Sequence, residues 1–218
     1  MEALRRYLTE EEQKRLLRHV DQFRDSAARR DHAFMRLLLC TGMRLNEARL
    51  LTVGDALEAL RTDTIFIPRE HRKGQKTDHR VLVTQPVRES LLGLLNIRRG
   101  MGFADHADAL LLCGRNGEGM TSRAIQLRVA MWAKAAGLPD GVSPHWFRHS
   151  RGMNIMKHTT SNDPRGIVQA ALGHASIAST GIYTRVTRED LAAALQEVDG
   201  TGRRSTAQLR KGWERRVA

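Results

Sequence analysis

Four short stretches of this chain hold residues whose types and spacing can do chemistry on a phosphate ester. In TGMRLNEARLL, Arg44 follows a glycine turn, and in RKGQK, Lys73 and Lys76 flank another. HWFRH carries His145, Arg148 and His149, and LGHASIASTGIY carries His174 and, nine residues later, Tyr183. A phosphodiester under attack passes through a pentacoordinate species whose added charge must be stabilised electrostatically. Guanidinium forks do this well, because they bind two non-bridging oxygens at once and cannot lose their charge. Arg44 and Arg148 are the candidates for that work. The phenol of Tyr183 is a weak nucleophile at its ordinary pKa of about 10, and a neighbouring imidazole can take or share its proton.

Taken singly, each stretch has a plainer reading. An arginine after a glycine at a helix start is usually solvated or salt-bridged, and a lysine on a hairpin tip is nearly always surface. His145 and His149 lie at i, i+4 on one helix face, which is half a metal site, but the glutamate of HExxH is missing and no further ligand cluster accompanies them. A tyrosine after an isoleucine is usually core.

In this order, TGxRxxE, KGxK, HxxRH and LGH followed by tyrosine are similar to the tyrosine recombinase (phage integrase) family. The resemblance runs from about residue 5 to residue 198. It implies a site-specific recombinase that cuts and rejoins double-stranded DNA through a 3′-phosphotyrosyl intermediate, without metal or other cofactor. The active-site set it implies is Arg44, Lys73, His145, Arg148, His174 and Tyr183. By the same resemblance His145 takes the proton of Tyr183, Lys73 protonates the departing 5′-oxygen, and His174 holds a phosphate oxygen. Glu47 reads as structural, orienting Arg44, and His149 as a supporting residue. Tetrameric self-assembly on DNA follows from the need to hold two duplexes.

Some features depart from the family pattern. The hairpin reaches Lys73 late, so Lys76 is the alternative acid. The stretch from Arg148 to His174 is long, with the excess in KHTTSNDPRG. The chain also begins almost where a catalytic domain begins. It is therefore expected to be either an excised piece or one of the short recombinases. A type IB topoisomerase with a similar residue set is one competing reading. A non-cutting DNA-binding protein of the same fold is another.

The elements that must position these residues give an α+β fold, mainly helical, with one small antiparallel sheet. Thr9 and Glu12 form a capping box for a helix reaching about residue 28. A second helix is expected from Asp31 to Cys40 and a short one over Asn46–Leu51. Thr64–Ile67 and Arg80–Val83 read as a hairpin with a long basic connection. Pro86 opens a helix to Arg99, and Leu110–Leu112 reads as a short third strand. Ser122–Ala136 has a helical pattern, and Ser143–Pro144 is a cap and first-turn pair for the helix bearing HWFRH. Pro164 opens a helix ending at Gly173, and Thr187 caps a last one to about Val198. Residues 1–200 form the expected catalytic domain. Residues 201–218 are a basic tail, in which Leu209, Trp213 and Val217 would make an apolar stripe for docking on a neighbouring subunit if helical.

Bulk composition agrees with a nucleic-acid partner. Lys and Arg total 36 against 24 Asp and Glu, a net charge of +12. Such a surface collects polyanions, because each neutralised phosphate releases condensed counterions. Aromatics are only 5% of residues, which argues against single-strand binding on stacking platforms. Cys40 and Cys113 sit in apolar runs and read as buried thiols rather than a disulfide or a metal site. With no apolar run of membrane length and a polar, charged start, a cytoplasmic, soluble protein is expected.

Overall fold

The computed structural model describes residues 7–74 and 76–173. Helix α1 (Glu10–Asp21) starts at the expected capping box: the Thr9 hydroxyl accepts from Glu12 N, and Glu12 Oε2 accepts from Thr9 N at 2.8 Å. It ends sooner than expected. Asp25 caps a new helix by accepting from Ala28 N, so α2 runs Ser26–Thr41 rather than from Asp31. Asp31 lies inside α2 as a buried carboxylate that accepts hydrogen bonds from Arg30, Arg128 and the Trp132 indole.

After α3 (Leu45–Arg49) comes α4 (Val53–Thr62), an element absent from the sequence expectation. Thr52 and Asp55 cap its start reciprocally, and Asp63 ends it in the left-handed region at φ 54°. Strands β1 (Thr64–Ile67) and β2 (His79–Leu82) pair antiparallel, Ile65 opposite Val81 and Phe66 opposite Arg80. Alternation turns Ile65, Ile67 and Val81 into the core and leaves Phe66 and Leu82 outside. The expected third strand at Leu110–Leu112 does not form. Leu110 makes only an isolated bridge to Thr52, so the described sheet has two strands.

Helices α5 (Gln85–Gly100), α6 (Ser122–Ala135), α7 (Pro144–His158) and α8 (Pro164–Leu172) follow close to their expected bounds, with proline in the first turn of α5, α7 and α8. Ser143 takes the cap position of α7 but makes no capping hydrogen bond through its side chain. The main core packs α2 on α5 and α7 and fully encloses Leu37, Leu38, Leu91 and Phe147, while Val168 and Leu172 of α8 form a smaller cluster with Met153, Ile155 and Met156 of α7. Burying a side chain such as Phe147 stabilises by about 1.5–3 kcal/mol. Cys113 is buried as expected, but Cys40 is only half-buried, and burial raises its thiol pKa above the ordinary value. No described helix is long and apolar enough to cross a membrane. The expected last helix from Thr187, the domain boundary near residue 200 and the basic tail lie outside the described residues.

Candidate active site

Two helices end on glycines that the fold brings together. Gly42 follows α2 at φ 68° and Gly173 follows α8 at φ 61°, both in the left-handed region that closes helices at low cost only for glycine. A Cβ on Gly42 would also run into Leu172. Arg148 spans the two ends. Its Nη1 donates to Gly42 O at 2.7 Å and its Nη2 to Leu172 O at 2.7 Å. Helix C-terminal carbonyls carry partial negative charge and unsatisfied acceptors, which explains how this guanidinium is held although Arg148 is only 4% exposed.

Arg44 lies two residues past Gly42 and takes the N-cap position of α3. Glu47, in the first turn, reaches back: Oε2 accepts from Arg44 N and Oε1 from Arg44 Nη1, both at 2.8 Å. Glu47 is 1% exposed, so its charge is tolerable only because it is paired. The expected orienting role of Glu47 thus has a geometric basis.

On α7, Trp146, Phe147, Arg148 and Ser150 face inward. His145 is exposed and His149 half-buried, with their Nε2 atoms 2.7 Å apart and the rings edge-on. A hydrogen bond between two imidazole nitrogens needs one donor and one acceptor, so at least one of the two rings is neutral. Among the described residues no third ligand joins the two histidines to make a metal site.

The hairpin loop carries Lys73 and Lys76, both exposed. Two residues that the sequence reading did not single out sit deeper. Arg72 reaches toward Glu47, Nε to Oε1 at 3.5 Å, and donates from Nη2 to Gly173 O at 2.6 Å. His79, the first residue of β2, packs on the same glycine, where a Cβ would fall 2.8 Å from its ring. Burial, then the charge of Arg72, lowers the His79 pKa below 6.5, against the opposing pull of Glu47. The charge of Arg148 acts on it too. Two guanidiniums, Arg44 and Arg72, therefore flank one buried carboxylate, the charge of a third, Arg148, reaches His79 beside them, and the excess positive charge suits a phosphate. Nothing in the sequence flags Arg72 or His79, because each is defined by partners such as Gly173, far along the chain.

The structure thus links Arg44 and Arg148 through the Gly42 turn, leaves Lys73 exposed on the hairpin loop next to Arg72, and puts His145 one helical turn from His149. His174 and Tyr183 lie outside the described residues, and α8 with Gly173 leads directly to His174 in the sequence.

The model of the phage integrase family matches residues 6–190. Tyrosine recombinase XerC of Azotobacter vinelandii is 37% identical over 180 residues, 83% of this chain and 56% of that protein. Tyrosine recombinase XerC of Shewanella amazonensis is 36% identical over 173 residues, 77% of this chain and 53% of that protein. The chain thus spans about half the length of the curated relatives it matches. Among solved structures, XerH site-specific recombinase bound to palindromic difH substrate in a post-cleavage complex superposes with a TM-score of 0.68 at 29% identity, covering 89% of this chain and 53% of that one. The Tn1549 transposon integrase in complex with circular intermediate DNA shares the fold with a TM-score of 0.71 at 19% identity, covering 88% and 66%.

Proposed function

Because the chain belongs to the phage integrase family, we propose that it is the catalytic part of a site-specific recombinase that breaks and rejoins double-stranded DNA through a phosphotyrosine link. The observation that carries this reading is the guanidinium of Arg148, fixed across the ends of α2 and α8 beside the Arg44–Glu47 pair. In that placement two arginines can hold the non-bridging oxygens of a scissile phosphate without reorganising during the reaction.

In the proposed sequence, Tyr183 Oη attacks phosphorus as His145 accepts its proton. The P–O bond to the 5′-oxygen breaks, and Lys73 protonates that oxygen as it leaves. His174 donates a hydrogen bond to the phosphate. The 3′-phosphotyrosyl link conserves the energy of the broken bond, so attack by a 5′-hydroxyl from another strand reseals the backbone without ATP. Residues 1–200 form the catalytic domain in this reading. The tail 201–218 docks on a neighbouring protomer as four copies assemble on two duplexes. Work on chromosomal or plasmid DNA would place the protein in the cytoplasm.

A nicked suicide substrate, which loses the 5′-hydroxyl needed for religation, tests the proposal. Recombinase chemistry leaves protein attached to DNA in a denaturing gel, only on substrates carrying the recombination site. Indiscriminate relaxation of supercoiled plasmid would favour a topoisomerase, and binding with no adduct would favour a non-cutting protein.

A further inference from the structure

Strand pairing in the hairpin stops at Ile67 on one side and His79 on the other, so Lys73 stands in a loop that no ladder supports. Apart from the short 3-10 turn Arg69–His71, two ties among the described residues hold the loop closed. The Asp78 carboxylate accepts from Arg69 N at 2.9 Å. The second tie is Arg72, whose Nη1 donates across the loop to Thr77 O at 2.6 Å, Thr77 Oγ1 at 3.0 Å and Asp78 O at 3.1 Å. The segment between those contacts holds Lys73, Gly74 and Lys76, and Gly74 turns at φ 86°. One guanidinium thus fixes both the width of the loop and its footing on the rest of the protein, since Nη2 ends on Gly173 O and Nε faces Glu47. The Arg72 side chain is only 9% exposed, and its Nε makes no hydrogen bond. Its Nη donors bond the protein's own backbone on both sides of the loop's footing, which makes it an effective brace.

We propose that Arg72 is a positioning residue for strand cleavage: it seats the loop bearing Lys73 against the Glu47–Arg44 pair and the Gly173 end of α8, and so sets where Lys73 delivers its proton. The inference rests on the recombinase reading above. A planar fork is required, because the hairpin, Glu47 and Gly173 lie around it in different directions and an ammonium has no such spread. Misplacing a catalytic group by about 1 Å can cost on the order of 10²-fold in rate.

The test is single-turnover cleavage by the full chain on two suicide substrates, one with the normal 5′-bridging oxygen and one with sulfur there, which leaves without an acid. Arg72→Ala is expected to slow cleavage of the oxygen substrate by on the order of 10²-fold. It should recover most of that loss on the sulfur substrate and bind DNA within about threefold of wild type. Arg72→Lys keeps the charge and guards against simple unfolding; the same pattern is expected from it, in milder form. In a Lys73→Ala background the Arg72 substitution should cost little more, because both remove the same proton delivery. An equal loss on both substrates, or full additivity with Lys73→Ala, would overturn the proposal. Wild-type protein that forms no adduct on either substrate would overturn the recombinase reading itself. A wild type that cleaves while Arg72→Ala cleaves equally well removes the positioning role alone.

Discussion

Arg148 is almost wholly enclosed and bonded to carbonyls at the ends of two helices, whereas Lys73 stands exposed on a loop beyond the last strand pair. Both are assigned to the same chemical step. The contrast teaches that the two tasks need different supports. Charge stabilisation gains most from donors that are already in place, so it is built into the helical core. Proton delivery needs a group that can approach a leaving atom, so it is carried on the hairpin. Substitutions on the helical side should therefore disturb rate and stability together, and substitutions at the loop tip should disturb rate alone.

The largest effect is expected from Arg148→Ala. Cleavage should slow by on the order of 10²–10³-fold. The melting temperature should fall as well, because the acceptors at Gly42 and Leu172 lose their donor. Arg148→Lys should restore little, since one ammonium cannot reproduce the two-pronged span. A variant that cleaves poorly yet melts like wild type would break the link between the two properties.

Lys73→Ala should slow cleavage of a normal substrate by on the order of 10²-fold, within the range for a lost general acid. Its stability should stay within about 0.5 kcal/mol of wild type because the side chain is exposed. Sulfur at the 5′-bridging position should rescue it, while Lys76→Ala should need no rescue. Rescue of Lys76→Ala alone would transfer the acid role to that residue.

Gly42→Ala tests the joint that Arg148 braces. The left-handed φ and the approach of Leu172 predict a destabilisation of about 1–3 kcal/mol, measured by denaturant unfolding. A smaller shift concerns His79. Its pKa is depressed in the fold, so the native state binds fewer protons than the unfolded chain below the ordinary value of 6.5. Its contribution is full above about that pH and is lost progressively as pH falls toward the lowered value. His79→Gln should therefore flatten part of the fall in melting temperature between about pH 7 and pH 5. An unchanged pH slope would mean that His79 does not titrate against Arg72 as described.

Much of this arrangement was legible in the sequence where local chemistry decides it. Thr9 with Glu12, the prolines opening α5, α7 and α8, and Gly173 after α8 mark boundaries by mechanisms that act within a few residues. The break between α1 and α2 is expected several residues too late, because Asp25 caps inside a run that otherwise keeps helical periodicity. Helix α4 depends on the Thr52–Asp55 exchange, and Leu110 forms a bridge rather than a strand. In the site, Arg44 and Arg148 were legible as residue types in a spaced pattern. Arg72 and His79 were not, since what distinguishes them is proximity to Glu47 and Gly173, which only the fold creates.

The central claim is a covalent intermediate on one tyrosine, supported by guanidiniums. The chain has only two tyrosines, Tyr7 and Tyr183, so peptide mapping of the trapped adduct gives a binary answer. Protein incubated with a nicked suicide substrate in EDTA should yield a nucleotide-bearing peptide containing Tyr183. Tyr183→Phe should yield none while binding DNA nearly as well. Attachment at Tyr7, an adduct that persists in Tyr183→Phe, or cleavage that stops on chelation would contradict the account.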